Sequence, residues 1–130
     1  MTDAKLWLEF AYKDLLRARR SYGYRDFEDA LYHLQQAVEK SLKALLIYYD
    51  IRLPSKHFRT HDIGYLVDIL KGEGISVPKF VDKARSLTSY AFTTRYPDDY
   101  VPVSEEEYEE AYEIAIRVYE WAKGIVEKQP

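Results

Sequence analysis

Three polar stretches carry the side chains that could do chemistry: Gln35-Gln36-Ala37-Val38-Glu39-Lys40 with Lys43 beyond it, Thr60-His61-Asp62, and Thr94-Arg95-Tyr96-Pro97-Asp98-Asp99. Arg95 offers the planar fork of donors that suits a phosphate, and Lys43 offers a second cation for the same ligand. Asp98 and Glu39 could orient Arg95, His61 could make a polar contact or anchor its loop, and Gln36 could reach a base or a partner backbone. Gln36, Glu39 and Lys43 share one helical face at i, i+3 and i+7, with Glu39 four residues before Lys43 in the favourable order for an ion pair. Plainer readings stand beside these. The α-helical strip could be a solvated face, and Arg95 could serve only as a last-turn cation against the helix dipole, bridged to Asp98 or Asp99.

Periodicity and breakers define the elements that must position these groups. Leu8, Ala11, Leu15, Ala18 and Tyr22 place an apolar stripe along a first helix over about Asp3 to Tyr22, with Gly23 as a stop. Asp26 suits the N-cap of a second, longer helix through Phe27, Leu31, Leu34, Val38, Leu42, Leu45 and Tyr49, closed before Pro54. Apolar residues also lie off its main stripe, at Tyr32, Ala44, Ile47 and Tyr48, which calls for a second covered face against a neighbouring helix or a twofold-related copy. Asp62 can cap a short helix through Ile63, Leu66, Val67 and Leu70, ended by Gly72 and Gly74. Pro78 suits the start of a fourth helix through Phe80, Val81, Ala84, Leu87 and Ala91, which must end near Arg95 because the residue before Pro97 is pushed out of the α region. Ser104 and Glu107 form a capping box before the stripe Ala111, Ile114, Ala115, Val118, Ala122 and Ile125. No segment alternates strictly or carries hairpin dipeptides. The expected fold is therefore all-α, an up-and-down antiparallel bundle of four long helices plus one short one, forming a single domain over 1–130.

Composition removes several functions. The 130 residues carry a formal net charge of -3, so the molecule as a whole has no electrostatic footprint for non-specific duplex binding. The absence of cysteine excludes disulfides, thiolate zinc sites and a cysteine nucleophile. His57 and His61 stand four apart but follow Pro54 and Ser55 in a loop, without the partners a metal site needs, so neither metal nor cofactor is expected. Neither a signal segment nor an apolar run of about 20 residues is present, and a cytoplasmic, non-membrane protein is the expectation. There is no Asn, with three Gln and one Met, a usage that resembles that of heat-selected proteins. If the helices alternate direction, Lys56, His57, Arg59 and His61 gather with Arg95 at one pole, while Arg17, Arg19, Arg20 and Arg25 lie at the other. Most of the 13 tyrosines fall at core or boundary spacing, with Tyr96 and Tyr100 apart from them beside Arg95. His33 is expected on a helix surface.

Taken in order, Tyr32-His33-Leu34-Gln35-Gln36-Ala37-Val38-Glu39-Lys40-Ser41-Leu42-Lys43-Ala44-Leu45, Thr60-His61-Asp62-Ile63-Gly64-Tyr65-Leu66 and Arg95-Tyr96-Pro97-Asp98 resemble the HEPN domain, the nucleotide-binding domain of higher eukaryotes and prokaryotes. The resemblance implies a helical bundle, commonly a homodimer, often found beside a minimal nucleotidyltransferase in two-component or toxin-antitoxin systems. Some members are metal-independent ribonucleases whose signature is an Arg followed after four to six residues by a His. Here Arg95 matches, but Tyr100 stands where the histidine is required and no His follows His61. A phenol with a pKa near ~10 is a poor proton shuttle at neutral pH. The expectation is thus nucleotide or RNA binding through Arg95, Lys43, His61, Asp98, Glu39 and Gln36. The alternatives are a ribonuclease in which His61 or Tyr100 replaces the missing histidine beside Arg95, and a purely structural dimerising bundle.

Overall fold

The computed structural model describes residues 2–54, 60–87 and 102–128. Among the described residues there are five helices and no strand. Helix α1 spans Asp3–Gly23 and starts where the Thr2 hydroxyl accepts the Lys5 N–H at 3.2 Å. Helix α2 spans Phe27–Tyr48, capped by Asp26, whose carboxylate accepts the Asp29 N–H at 3.1 Å. The α1–α2 reversal does not use glycine as the sequence suggests: Gly23 stays helical and Arg25 takes the left-handed conformation, φ 62°. That conformation is unfavourable for a residue with a Cβ. The Arg25 N–H donates to the Tyr22 carbonyl and the Asp26 N–H to the Ser21 carbonyl, both at 2.9 Å, closing the turn around Arg25, while its side chain lies 3.3 Å from Glu105 and 4.9 Å from the Phe27 ring centroid.

Helix α3 spans Ile63–Gly72, with the Asp62 carboxylate accepting the Tyr65 N–H at 3.1 Å. Helix α4 spans Lys79–Lys83 after Pro78, and a turn at Ala84 leads to further helical residues at 85–87. The continuation toward Ala91 and Arg95 lies outside the described residues. Helix α5 spans Glu105–Val126 and begins with the capping box of Ser104 and Glu107.

Helix α2 is the hub. It packs on α1, α5 and α3, while α1 also meets α5 and α4 bridges α5 and α3. Three residues connect α1 to α2, which makes them antiparallel neighbours. Leu34, Val38, Leu42 and Leu45 are fully buried at the centre, each stabilising the fold by about 1.5–3 kcal/mol on burial. Off the main stripe of α2, Ala44 is buried and Ile47 packs against the core, whereas Tyr32 and Tyr48 remain 51% and 44% exposed.

Candidate functional site

Two of the three polar stretches meet. Glu39, midway along α2, is only 2% exposed, and its Oε2 lies 2.9 Å from His61 Nδ1 at the approach to α3. Lys43, one turn further along, is 6% exposed, with Nζ 5.9 Å from the Trp7 ring centroid on α1. The strip is therefore not a solvated face: α1 and the segment before α3 cover it, and Gln36 on the same face is half-buried. Arg95, Asp98 and Tyr100, with Lys56, His57, Arg59 and Tyr96, lie outside the described residues.

Burial sets the electrostatics. Desolvation pushes the Glu39 carboxyl above the usual glutamate range, partly offset by the His61 hydrogen bond and by the charges of His61, Lys43 and Lys40. Desolvation likewise holds the Lys43 ammonium below its ordinary value, with Glu39 opposing and Lys40 adding to the effect. A carboxylate and an ammonium withdrawn from water this way answer strongly to an added charge, because the local dielectric is low. His61 differs from both: its side chain is 62% exposed, one ring nitrogen faces Glu39, and Nε2 makes no hydrogen bond among the described residues.

The frame behind His61 is fixed from the residues that follow α4. The Arg85 guanidinium donates to Asp68 at 2.5 Å, to Asp82 at 3.2 Å and to the Gly64 carbonyl at 3.3 Å. A Cβ on Gly64 would lie 3.2 Å from that guanidinium, so glycine here permits the close approach. From α2, the Gln35 amide donates to the Leu87 carbonyl. Gln35 is 3% exposed and sits one turn before Glu39, so Leu87 is held beside the site.

Sequence reasoning missed a second polar junction between α1 and α2. Asp14, 2% exposed, accepts from Lys40 at 2.5 Å, His33 Nδ1 at 3.1 Å and Arg17 at 3.2 Å. His33, expected on a helix surface, is only 20% exposed because Asp14 draws it inward, with Nε2 3.4 Å from Asp29. The signal was available: Asp14 stands three residues after Ala11 and four before Ala18, on the buried stripe of α1. Gln35 carried the same signal, four residues after Leu31 and three before Val38.

The four-arginine cluster at the opposite pole divides. Arg25 is bound to Glu105 and the charge of Arg19 acts on buried Tyr108 of α5, while Arg17 and Arg20 lie on the open side of α1. Among the described residues no helix is long and apolar enough to cross a membrane.

The HEPN domain family matches residues 4–125 of the chain. The crystal structure of ST0689, an archaeal HEPN homologue, is similar at 28% identity and TM-score 0.75, covering 98% of this chain and 100% of its own. The crystal structure of TT1696 from Thermus thermophilus is similar at 31% identity and TM-score 0.75, covering 95% of this chain and 98% of its own. No curated protein matches the sequence. With the family spanning almost the whole bundle and the Glu39, Lys43 and His61 motifs drawn together within it, this chain belongs to the HEPN domain family.

Proposed function

We propose that this HEPN-domain protein binds a nucleotide or RNA phosphate at the Glu39, Lys43 and His61 site, with Arg95, Asp98 and Gln36 contributing. In this reading it acts in the cytoplasm as a homodimer and as one half of a toxin-antitoxin-like pair with a minimal nucleotidyltransferase. The observation that carries the binding reading is the 2.9 Å contact between Glu39 and His61. It brings side chains 22 residues apart together beside the buried Lys43 ammonium, so that an imidazole and an ammonium lie where a phosphate oxygen could accept from both. The partner and the pairing rest on family resemblance, and the heat-adapted source on the Asn-free composition. A thermal-shift titration with nucleoside triphosphates tests the ligand. At 100 times the dissociation constant the ligand stabilises by about 2.7 kcal/mol, and Lys43→Met abolishes the shift. Absence of any shift in the wild type removes the reading. Co-purification from the native host tests the nucleotidyltransferase partner.

One observation favours the ribonuclease alternative enough to keep it. His61 is anchored by a carboxylate on one nitrogen while the rest of its ring faces water, the arrangement by which a carboxylate orients an imidazole for proton transfer. Incubation with RNA should then give cleavage lost in both His61→Ala and Arg95→Ala. No cleavage by the wild type sinks this alternative for that substrate and leaves binding.

A further inference from the structure

The candidate site borders an unassigned ridge along α1 through the Lys43–Trp7 contact. Trp7, which carries Lys43 over its ring, meets Phe10 edge to face with centroids 6.0 Å apart. Phe10 is 38% exposed, and Lys13 Nζ lies 5.9 Å from its ring centroid. Phe10, Lys13, Arg17 and Arg20 then recur at spacings of three and four, all exposed, so they line one side of the helix. Tyr24, 81% exposed, follows four residues on at the C-cap. The ridge from Phe10 to Tyr24 is about 21 Å long at the helical rise of ~1.5 Å per residue.

Charge along this side is uneven in a molecule whose formal net charge is -3. Among the described residues, Lys13 and Arg20 have no ion pair. Of the acids on this helix, exposed Glu9 stands four residues before Lys13 without an ion pair to it among the described residues, and Asp14 is shared among Lys40, His33 and Arg17, contacting only one Arg17 nitrogen at 3.2 Å. A guanidinium has five N–H donors, so most of the Arg17 fork remains for another acceptor. Cations spaced along a track with aromatic rings at its two ends are the combination that holds single strands: the cations follow phosphates and the rings stack bases.

We propose that the α1 ridge, from Trp7 and Phe10 through Lys13, Arg17 and Arg20 to Tyr24, is a track for a single-stranded polynucleotide whose end or target phosphate lies at Lys43. The inference rests on the binding reading of the Glu39, Lys43 and His61 site and names its ligand as a strand rather than a free nucleotide. The strand's course is set by the site: one phosphate near Lys43, and the neighbouring nucleotides laid toward the α1–α2 turn. An acidic polypeptide would satisfy the cations but leave the exposed rings without bases to stack.

The test uses the full-length protein and fluorescent oligouridylate long enough to span the ridge, with oligothymidylate of equal length and polyglutamate as further arms. Binding is measured against salt. Each cation lost from a single-strand contact makes the slope of log K against log salt shallower by about 0.7. The Lys13→Gln/Arg20→Gln double variant should therefore flatten it by about 1.4. Lys79→Gln/Lys128→Gln removes two exposed charges off the ridge and should leave the slope unchanged. Tyr24→Ala should weaken binding roughly five- to 150-fold, the loss of one stacked base. RNA bound in preference to DNA identifies RNA as the natural strand, and equal binding supports the shared phosphodiester chemistry. The track is overturned if the oligonucleotides do not bind, if the ridge variants bind like the off-ridge control, or if polyglutamate competes as well as the strand. A mononucleotide shift lost in Lys43→Met without oligonucleotide dependence on the ridge keeps the site and removes the track. Ridge-dependent oligonucleotide binding indifferent to Lys43→Met keeps the track and removes its link to the site.

Discussion

At the scale of single residues, Glu39 concentrates the tension of the site. A carboxyl 2% exposed costs stability when ionised, and His61 with the two lysines offsets only part of that cost. Because its folded pKa is raised above the unfolded value, Glu39 binds a proton more tightly in the native state. Between the ordinary glutamate pKa and the raised one, folding takes up a proton, and stability falls as pH climbs through that window. Above it, the carboxylate is charged in both states and its penalty is constant. Asp68 and Asp82, held below the usual range chiefly by hydrogen bonds from Arg85 and Lys71 respectively, act in the opposite direction. The informative quantity is therefore a difference. Chemical denaturation of wild type and Glu39→Gln across the acid-to-neutral range should give curves that diverge as pH rises through the window and then run parallel, each tenfold in proton affinity contributing about 1.4 kcal/mol. Curves parallel throughout would mean that Glu39 is not desolvated.

At the scale of elements, two polar fasteners hold α2 to its neighbours, and both occupy registers that periodicity assigns to the core. Gln35 fastens α2 to the Leu87 carbonyl. Gln35→Leu should keep the helix and the volume while orphaning that acceptor, for a loss of about 1–3 kcal/mol in urea unfolding. No loss would mean that water replaces the amide. Asp14 fastens α1 to α2 through Lys40 and His33. Its partners are 24% and 20% exposed, so Asp14→Ala should cost about 1–3 kcal/mol, below what breaking a fully buried pair entails. A change within a few tenths would show that the half-exposed cations simply rehydrate. These fasteners also mark where the sequence stops being legible. Caps at Asp26, Asp62 and Ser104 and the apolar stripes could be read directly, because each is a local signal spanning three or four residues. The pairings of Glu39 with His61, Asp14 with Lys40 and Gln35 with Leu87 join residues 22, 26 and 52 apart. Only packing chooses among the partners available at such separations, so Glu39 could be placed on a face without revealing that the face is covered. Arg25 escaped the reading for another reason: the helix runs on through Gly23, and the bonds from the Arg25 N–H to Tyr22 and from the Asp26 N–H to Ser21 put the left-handed position two residues later than the glycine suggests.

At the scale of the molecule, the bundle separates its charges while keeping a single core. The first turn of α5 is acidic, with Glu105, Glu106 and Glu107 at the positive end of the helix dipole, whereas the open side of α1 is basic. This polarity gives two copies complementary as well as self-repelling surfaces, so charge alone does not decide the oligomer. Apolar exposure weighs on the side of association. Leu6, Tyr12 and Leu16 on α1 and Tyr32, Tyr48 and Tyr49 at α2 all retain between 38% and 51% of their surface in one copy, and a second copy covering part of it gains about 25 cal/mol for each Å² of apolar area removed from water. The proposed homodimer then has a mass signature and a stability signature. Sedimentation equilibrium should return twice the 15.4 kDa chain mass, and the thermal midpoint should rise with protein concentration, because dissociation accompanies unfolding. A mass of one chain with a concentration-independent midpoint would remove the dimer and leave each chain to bind a strand on its own, with saturation at one site per chain.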